Sequence, residues 1–358
     1  MKEIYSPDRI AEMIMTIDPD FYLPSDEQRP IISIDTNPLE PAVVIAGAGS
    51  GKTETMAARV VYLVANQFAR PDQILGLTFT RKAAGELNTR IRKRLRQFQQ
   101  AQDRRGIPRT FSSLDTAVTT YHSYAGRLLS EHAIRYGIDA DVQPLGEAAL
   151  WMSANKLVRE WDDGTFATSD AASTVVKDLL GLTSMILEHR VTLAQIREAD
   201  EKVLHEVAAM TGQTNDETRK VAKVLQQRMA MLPMVEAFLE ARRQSGELSF
   251  DDQIALAADI AVNFPDVGVL ERAKYPIVLL DEYQDTSQSQ VRLLSALFGS
   301  GHPVTAVGDP CQSIYTWRGA SSGTISAFNT NFPKAAGSTG KSVYELLTTY
   351  RNDESILT

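Results

Sequence analysis

The residues best suited to chemistry form a glycine-rich run, Ala46-Gly47-Ala48-Gly49-Ser50-Gly51, followed at once by Lys52-Thr53. Backbone N–H groups of such a loop can wrap the β-phosphate of a nucleotide, and the N-terminus of a following helix adds positive potential. Lys52 can reach the β/γ oxygens, and Thr53 can ligate Mg²⁺ through its hydroxyl. The strict pattern wants glycine where this chain has Ala46. Far downstream, Asp281 and Glu282 end an apolar run, Ile277-Val278-Leu279-Leu280. Adjacent residues on a strand point to opposite sides, which suits a division of labour. Asp281 would hold a water ligand of Mg²⁺, and Glu282 would take a proton from the water attacking the γ-phosphate. The bland alternative is a carboxylate pair capping the next helix.

Two further groups invite the same question. In Gly308-Asp309-Pro310-Cys311-Gln312, the Gln312 carboxamide is placed to hydrogen-bond a γ-phosphate. Just beyond it, Tyr315 and Trp317 offer faces on which bases could stack, and Arg318 stands beside them. Either aromatic could equally be core. Gln28 can donate and accept at once, matching the N6 and N7 edge of adenine, but Ser25 three residues earlier makes a capping box an equal reading.

These groups need elements to place them. Val43 to Ile45 read as a buried parallel strand entered through Pro41, and Met56, Val60, Leu63 and Val64 mark the amphipathic helix after the loop. Residues 74–79, 117–121, 276–281 and 304–308 read as further strands, so the loop begins a βαβ unit with a right-handed crossover. Ligands in such sheets bind at the carboxyl edge. The helix after residue 79 buries Ala83, Leu87, Ile91, Leu95 and Phe98, and residues 99–116 read as a long exposed connection. Between about residues 125 and 246 the strand signal disappears. Amphipathic segments at 125–136, 146–161, 171–190 and 216–243 replace it, with Pro233 expected to bend the last. The α/β pattern is expected to return at Ser249-Phe250-Asp251-Asp252. The fold class is therefore α/β, a parallel phosphate-loop sheet interrupted by an all-helical insertion.

Composition narrows the setting. The chain has 358 residues, more than one unit's usual length, and a single cysteine, Cys311, which excludes an intrachain disulfide and a cysteine-cluster metal site. No apolar run approaches membrane-spanning length and the start lacks a signal-peptide core, so no membrane partner is expected and a cytoplasmic location fits. Net charge is −8, yet from Arg81 to Arg109 ten Lys/Arg stand against two acids, which is +8. From Gly137 to Leu248 twelve stand against eighteen, which is −6. The basic window could touch a phosphate backbone or could be a solvated helix face.

Taken in order, these motifs resemble superfamily 1 DNA helicases of the UvrD/PcrA/Rep kind. The likeness runs through Gln28, Ala46–Thr53, Thr78–Glu86, Thr120–Ser123, Phe250–Asp252, Asp281–Thr286, Gly308–Ala320 and Tyr350-Arg351. That family also has alanine at the position of Ala46. The wording around Gly51–Val60 and Thr80–Leu87 further resembles actinobacterial RecB-like helicase–nuclease motors of the AdnAB B-subunit branch.

The resemblance implies a RecA-like domain at 1–124 plus 247–336, a helical subdomain at 125–246, and the start of a second RecA-like domain at 337–358. It implies ATP and Mg²⁺ as cofactors, held by Gln28, Ala46, Gly47, Ala48, Gly49, Ser50, Gly51, Lys52, Thr53, Glu54, Asp281, Glu282 and Gln312. Tyr350 would stack on the base and Arg351 would serve as an arginine finger. Phe79, Tyr315 and Trp317 would handle bases. Thr80, Arg81, Thr120, His122, Ser123 and Arg318 would meet the strand's backbone or position those groups.

Two departures stand out: Glu54 where relatives often carry arginine, and Thr349-Tyr350-Arg351-Asn352 where they read Asn-Tyr-Arg-Ser. The implied activity is DNA-dependent ATP hydrolysis with 3′-to-5′ translocation on single strands or on the 3′ tail of a duplex, in repair or recombination. A nuclease or helicase subunit would be a possible partner. The later motifs of the second motor domain are not in this sequence, so the chain is expected to be a fragment that unwinds little alone. Other classes are a non-motor ATP-binding subunit of a helicase–nuclease complex and a generic phosphate-loop kinase. The four groups Lys52, Asp281, Glu282 and Gln312 argue against the first. Tyr315, Trp317 and the basic window argue against the second.

Overall fold

The computed structural model describes residues 3–34, 39–137, 144–162, 170–210, 215–299, 301–313, 323–338 and 340–351. In chain order, α1 (Pro7–Met15) and α2 (Gln28–Ile32) precede β1 (Ala42–Ala46), α3 (Lys52–Ala65), β2 (Ile74–Thr78), α4 (Arg81–Arg104) and β3 (Ala117–Thr120). Helices α5 (Tyr121–His132), α6 (Glu147–Glu160), α7 (Ala172–His189), α8 (Leu193–Ala209), α9 (Asp216–Ser245), α10 (Phe250–Asn263) and α11 (Pro265–Lys274) follow. The strand pattern then resumes with β4 (Ile277–Leu280), α12 (Gln288–Phe298), β5 (Val304–Gly308), α13 (Phe328–Asn331) and β6 (Val343–Leu346).

The chain divides into two compact units, residues 1–125 with 258–358, and residues 126–257. In the first, the described residues form six parallel strands in the order β3-β2-β4-β5-β1-β6. β2 and β4 are buried along their whole length, as near-continuous apolar strands covered on both faces must be. Every strand therefore ends at one carboxyl edge. Met56, Val60, Leu63 and Val64 of α3 are buried, as their spacing predicts, and each such side chain contributes about 1.5–3 kcal/mol.

Within the stretch 337–358, expected to open a second RecA-like domain, β6 lies in this same sheet: Val43 to Ala46 pair with Val343 to Leu346. The physical reason is that β1 needs partners on both sides, and the alternating Val343-Tyr344-Glu345-Leu346 buries Tyr344 and Leu346 against the main core. The helix over the basic window also runs further than expected, to Arg104. Gln99 and Gln102 are buried there because their amides donate to Phe111 O (2.9 Å) and Thr110 Oγ1 (3.5 Å), so part of 99–116 is packed helix rather than exposed connection.

The second unit is all helical among the described residues. Val175, Val176, Leu179 and Ile186 of α7 form its core with Met231, Met234, Val235 and Phe238 of α9, and Ala154 of α6. Helix α8 had no counterpart in the sequence reading. Its stripe is weak, with Asp200 the buried residue and bound by Arg228 of α9. α9 continues as one helix through Pro233. At 249–252, where the α/β pattern was expected to return, the chain starts α10 instead, with Ser249 Oγ accepting from Asp252 N (3.1 Å). No single helix among the described residues is long and apolar enough to cross a membrane.

Candidate functional site

The carboxyl edge of the sheet gathers the chemistry-bearing residues of the first unit. Between β1 and α3 the loop turns through Gly49 (φ 76°) and Gly51 (φ 83°), left-handed backbone that glycine adopts without cost. Ser50 Oγ donates to Gly47 O at 2.8 Å, and a methyl group at Gly47 would meet nothing within 4 Å, so the loop's outer side is open. Gln28 faces this loop: a methyl group at Gly51 would lie 3.1 Å from Gln28 Nε2.

Both readings of Gln28 hold in part. Its Oε1 accepts from Ser25 N (3.1 Å) and its own N donates to Ser25 Oγ (3.2 Å), the capping box, while the amide nitrogen is turned to the glycine loop. A cavity of about 690 Å³ opens beside it, lined among others by Gly51, Glu54, Tyr350, Phe21 and Arg94. Within that lining, the Arg94 guanidinium lies over the Phe21 ring (4.2 Å) and donates to Glu54 (2.8 Å), and Arg90 also reaches Glu54 (3.1 Å). Glu54 therefore enters the cavity already paired with two arginines. On the far side of the loop, Thr349 Oγ1 donates to Ala48 O (3.1 Å) and Tyr350 N to Gly49 O (2.9 Å). A methyl group on Gly49 would come within 2.6 Å of Arg351 Cβ. The end of β6 thus sits directly on the loop.

Asp281 and Glu282 differ from the expectation that both lie on a strand. β4 stops at Leu280, Asp281 N still donates to Leu77 O (2.8 Å), and Glu282 turns into left-handed backbone at φ 49°. Such strain in a non-glycine residue costs on the order of 1–3 kcal/mol and concentrates at functional sites. The turn frees Glu282 from the sheet's alternation. Its carboxylate lies 3.4 Å from Lys52 Nζ, which bridges β4's end to the glycine loop. Asp281 is 5% exposed, and burial, followed by the neighbouring Glu282 charge, pushes its carboxyl up to about 6. Tyr121, buried at the start of α5, donates its hydroxyl to Asp281 O (3.4 Å), and burial raises its own titration.

A residue given no role in the sequence reading connects the parts. Gln284, 2% exposed, donates from Nε2 to Glu282 Oε2 (2.8 Å) and accepts at Oε1 from Asp309 N (3.0 Å). Asp309 in turn accepts from Gln312 Nε2 (2.6 Å). Gly308 makes this possible, because a methyl group there would lie 2.5 Å from Gln284 Oε1. Sequence offered one usable hint: a carboxamide between acids, three residues after Asp281, has little reason to be in a core.

The residues expected at a nucleic acid lie along the same edge. Phe79 follows β2, Thr80 caps α4 by accepting from Ala83 N (3.0 Å), and Arg81 is exposed in its first turn. Thr120 accepts from Ser123 N (3.2 Å) and donates to Ser123 Oγ (2.9 Å), with half-buried His122 between them. The two threonines are thus caps, which fixes the neighbouring groups at the edge. Tyr315, Trp317 and Arg318 lie outside the described residues.

The basic window changes its meaning. Asp18, Glu54 and Asp115 fold against it, so ten bases stand against five acids, a balance of +5 rather than +8. Arg92 pairs with Asp115 (2.6 Å), Lys93 with Asp18 (3.4 Å) and Arg109 with Asp103 (2.6 Å).

The family described as UvrD/REP helicase N-terminal domain matches residues 25–333. The chain is 29% identical over 295 residues to the ATP-dependent DNA helicase PcrA of Leuconostoc citreum, covering 82% of this chain and 34% of that protein. Identity is 27% over 298 residues to PcrA of Staphylococcus aureus and 27% over 303 residues to UvrD1 of Mycobacterium leprae, with the same coverage in both. The chain thus spans about a third of the length of these relatives.

Proposed function

Because the chain belongs to the UvrD/REP helicase family, we propose that it forms the ATP-binding motor domain of a DNA helicase whose ATP hydrolysis depends on single-stranded DNA. The observation that carries this is the continuous path from the glycine loop through Lys52, Glu282, Gln284 and Asp309 to Gln312. A carboxylate suited to proton abstraction is thereby tied to two other strand ends, where a strand of DNA held at the same edge could shift it.

The residues present fit ATP and Mg²⁺. Gly49 and Gly51 give a left-handed loop with open space above Gly47, and the Asp281 carboxyl, drawn towards protonation by burial, gains most from a nearby cation. When bound, the cation would neutralise charge on the phosphate oxygens. Thr53 and Asp281 would hold it. Lys52 would leave Glu282 for the phosphates, which frees the Glu282 carboxylate to orient water and accept its proton. Gln312 would report the γ-phosphate through Asp309 and Gln284. Gln28 would donate from Nε2 to the base, Tyr350 would stack on it, and Arg351 would approach the phosphates. Phe79, Arg81 and His122 would meet the single strand. The 3′-to-5′ direction and a part in repair or recombination come from the family resemblance.

Steady-state turnover with and without single-stranded DNA tests this reading. DNA should raise turnover many-fold, and Glu282→Gln should lower it by at least about 10³-fold while ATP still binds. Equal rates with and without DNA would sink the translocating-motor reading.

A further inference from the structure

The segment after β6 carries Tyr350 and Arg351, yet little apolar burial holds it: Leu347 is 73% exposed and Tyr350 62%. β6 is also an edge strand, and its end would ordinarily present unpaired N–H groups to water. Here two of them are taken by one carboxylate. Leu347 N and Thr348 N donate to Glu27 Oε2 at 3.0 and 3.1 Å, and Thr348 Oγ1 donates to Glu27 Oε1 at 3.1 Å. Hydrogen bonds to an ionised acceptor are about twice as strong as neutral ones, and three on one side chain fix the direction of the chain leaving β6. The opposite side of the segment is bonded to the glycine loop through Ala48 O and Gly49 O.

The neighbours of Glu27 are committed elsewhere. Asp26 and Asp8 hold Arg29, and Gln28 faces Gly51. We propose that Glu27 is a positioning residue that clamps the Leu347–Thr348 backbone, so that Tyr350 and Arg351 are held against the phosphate-binding loop from the N-terminus of the short helix α2, which begins with Gln28. The consequence for catalysis rests on the ATPase reading above; the clamp itself does not. Base recognition by Gln28 and placement of Tyr350 and Arg351 then share one mechanical support.

Amide hydrogen exchange read at Leu347 and Thr348, in the chain without nucleotide, tests the clamp. Glu27→Ala should speed exchange at these two amides by about tenfold and leave Val343–Leu346 unchanged, since one charge-assisted bond per amide is lost. Glu27→Gln, which keeps a carbonyl oxygen as acceptor, should fall between. Unchanged exchange in Glu27→Ala overturns the proposal whatever the turnover. In the intact protein, Glu27→Ala should lower kcat about tenfold and raise KM for ATP several-fold, whereas Gln28→Ala should act on KM alone. Faster exchange with kcat and KM untouched would overturn the positioning role. Faster exchange in a protein that shows no DNA-stimulated turnover even as wild type would support the clamp and overturn only the ATPase reading.

Discussion

The carboxyl edge of the sheet and the outer face of α4 both concentrate ionisable groups, and they use them in opposite ways. On α4 the side chains of Arg90 and Arg92 are each 44% exposed and Lys93 is 59% exposed, and each is paired with an acid brought in by the fold, Glu54 and Asp18 being shared with Arg94. At the sheet's edge Asp281, Gln284 and Asp309 are all more than nine-tenths buried, and Gln284 joins Glu282 to Asp309 in series. A charge count favours the first region, whereas burial favours the second. Exposed ion pairs are worth about 0–1 kcal/mol each, because water and salt screen them. A buried polar group left without its partner costs about 1–3 kcal/mol, so breaking the buried series is the more costly change.

The contrast can be broken most sharply at its centre. Gln284→Leu should reduce DNA-stimulated turnover by about 10²-fold with little change in ATP affinity, because Glu282 loses the donor that aims it. A loss below threefold in single-turnover measurements would mean that the buried series is only structural. Gly308→Ala acts on the same series through sterics, and should cost about 1–3 kcal/mol of stability in chemical denaturation along with much of the turnover.

A buried group away from the edge separates burial from position. His302 lies on the opposite side of the sheet, bonded through Nε2 to Tyr275 O (2.9 Å) and stacked on Phe298 (5.2 Å). Burial lowers its titration from the ordinary 6.5 to about 4. In this window the unfolded chain binds the proton that the folded one refuses, so stability is present above about pH 6.5 and is lost as pH falls towards 4. About 1–2 kcal/mol should disappear between pH 7 and 5, and His302→Gln should flatten that part of the unfolding curve without altering turnover at pH 7.5. At the small end, Arg92→Ala should change stability by less than about 0.5 kcal/mol, since its partner Asp115 is largely exposed. A larger effect would show that the α4 pairs act as a network.

Much of the site was legible because its parts are local. The glycine loop with Lys52-Thr53, the apolar strand ending at Asp281, and the strand ending at Gly308 each combine a short apolar run with polar residues at its end. What failed were features set by partners distant in sequence. Gln99 and Gln102 look solvated until Thr110 and Phe111 fold back on them. Helix α8 has too weak a stripe to announce itself, because its buried residue is an aspartate held by Arg228. β6 reads as the start of something new until β1 is seen to need a second neighbour.

The sequence by itself determined the fold class and picked out the glycine loop and the Asp281-Glu282 pair as candidates, because short apolar runs, glycine spacing and a Lys-Thr step are properties of consecutive residues. Only the tertiary structure decided that Glu282 leaves the strand in left-handed backbone, that Gln284 joins two strand ends, and that Glu27 grips a segment 320 positions away. These depend on which atoms come within hydrogen-bonding distance across the sheet, and a one-dimensional pattern holds no record of that.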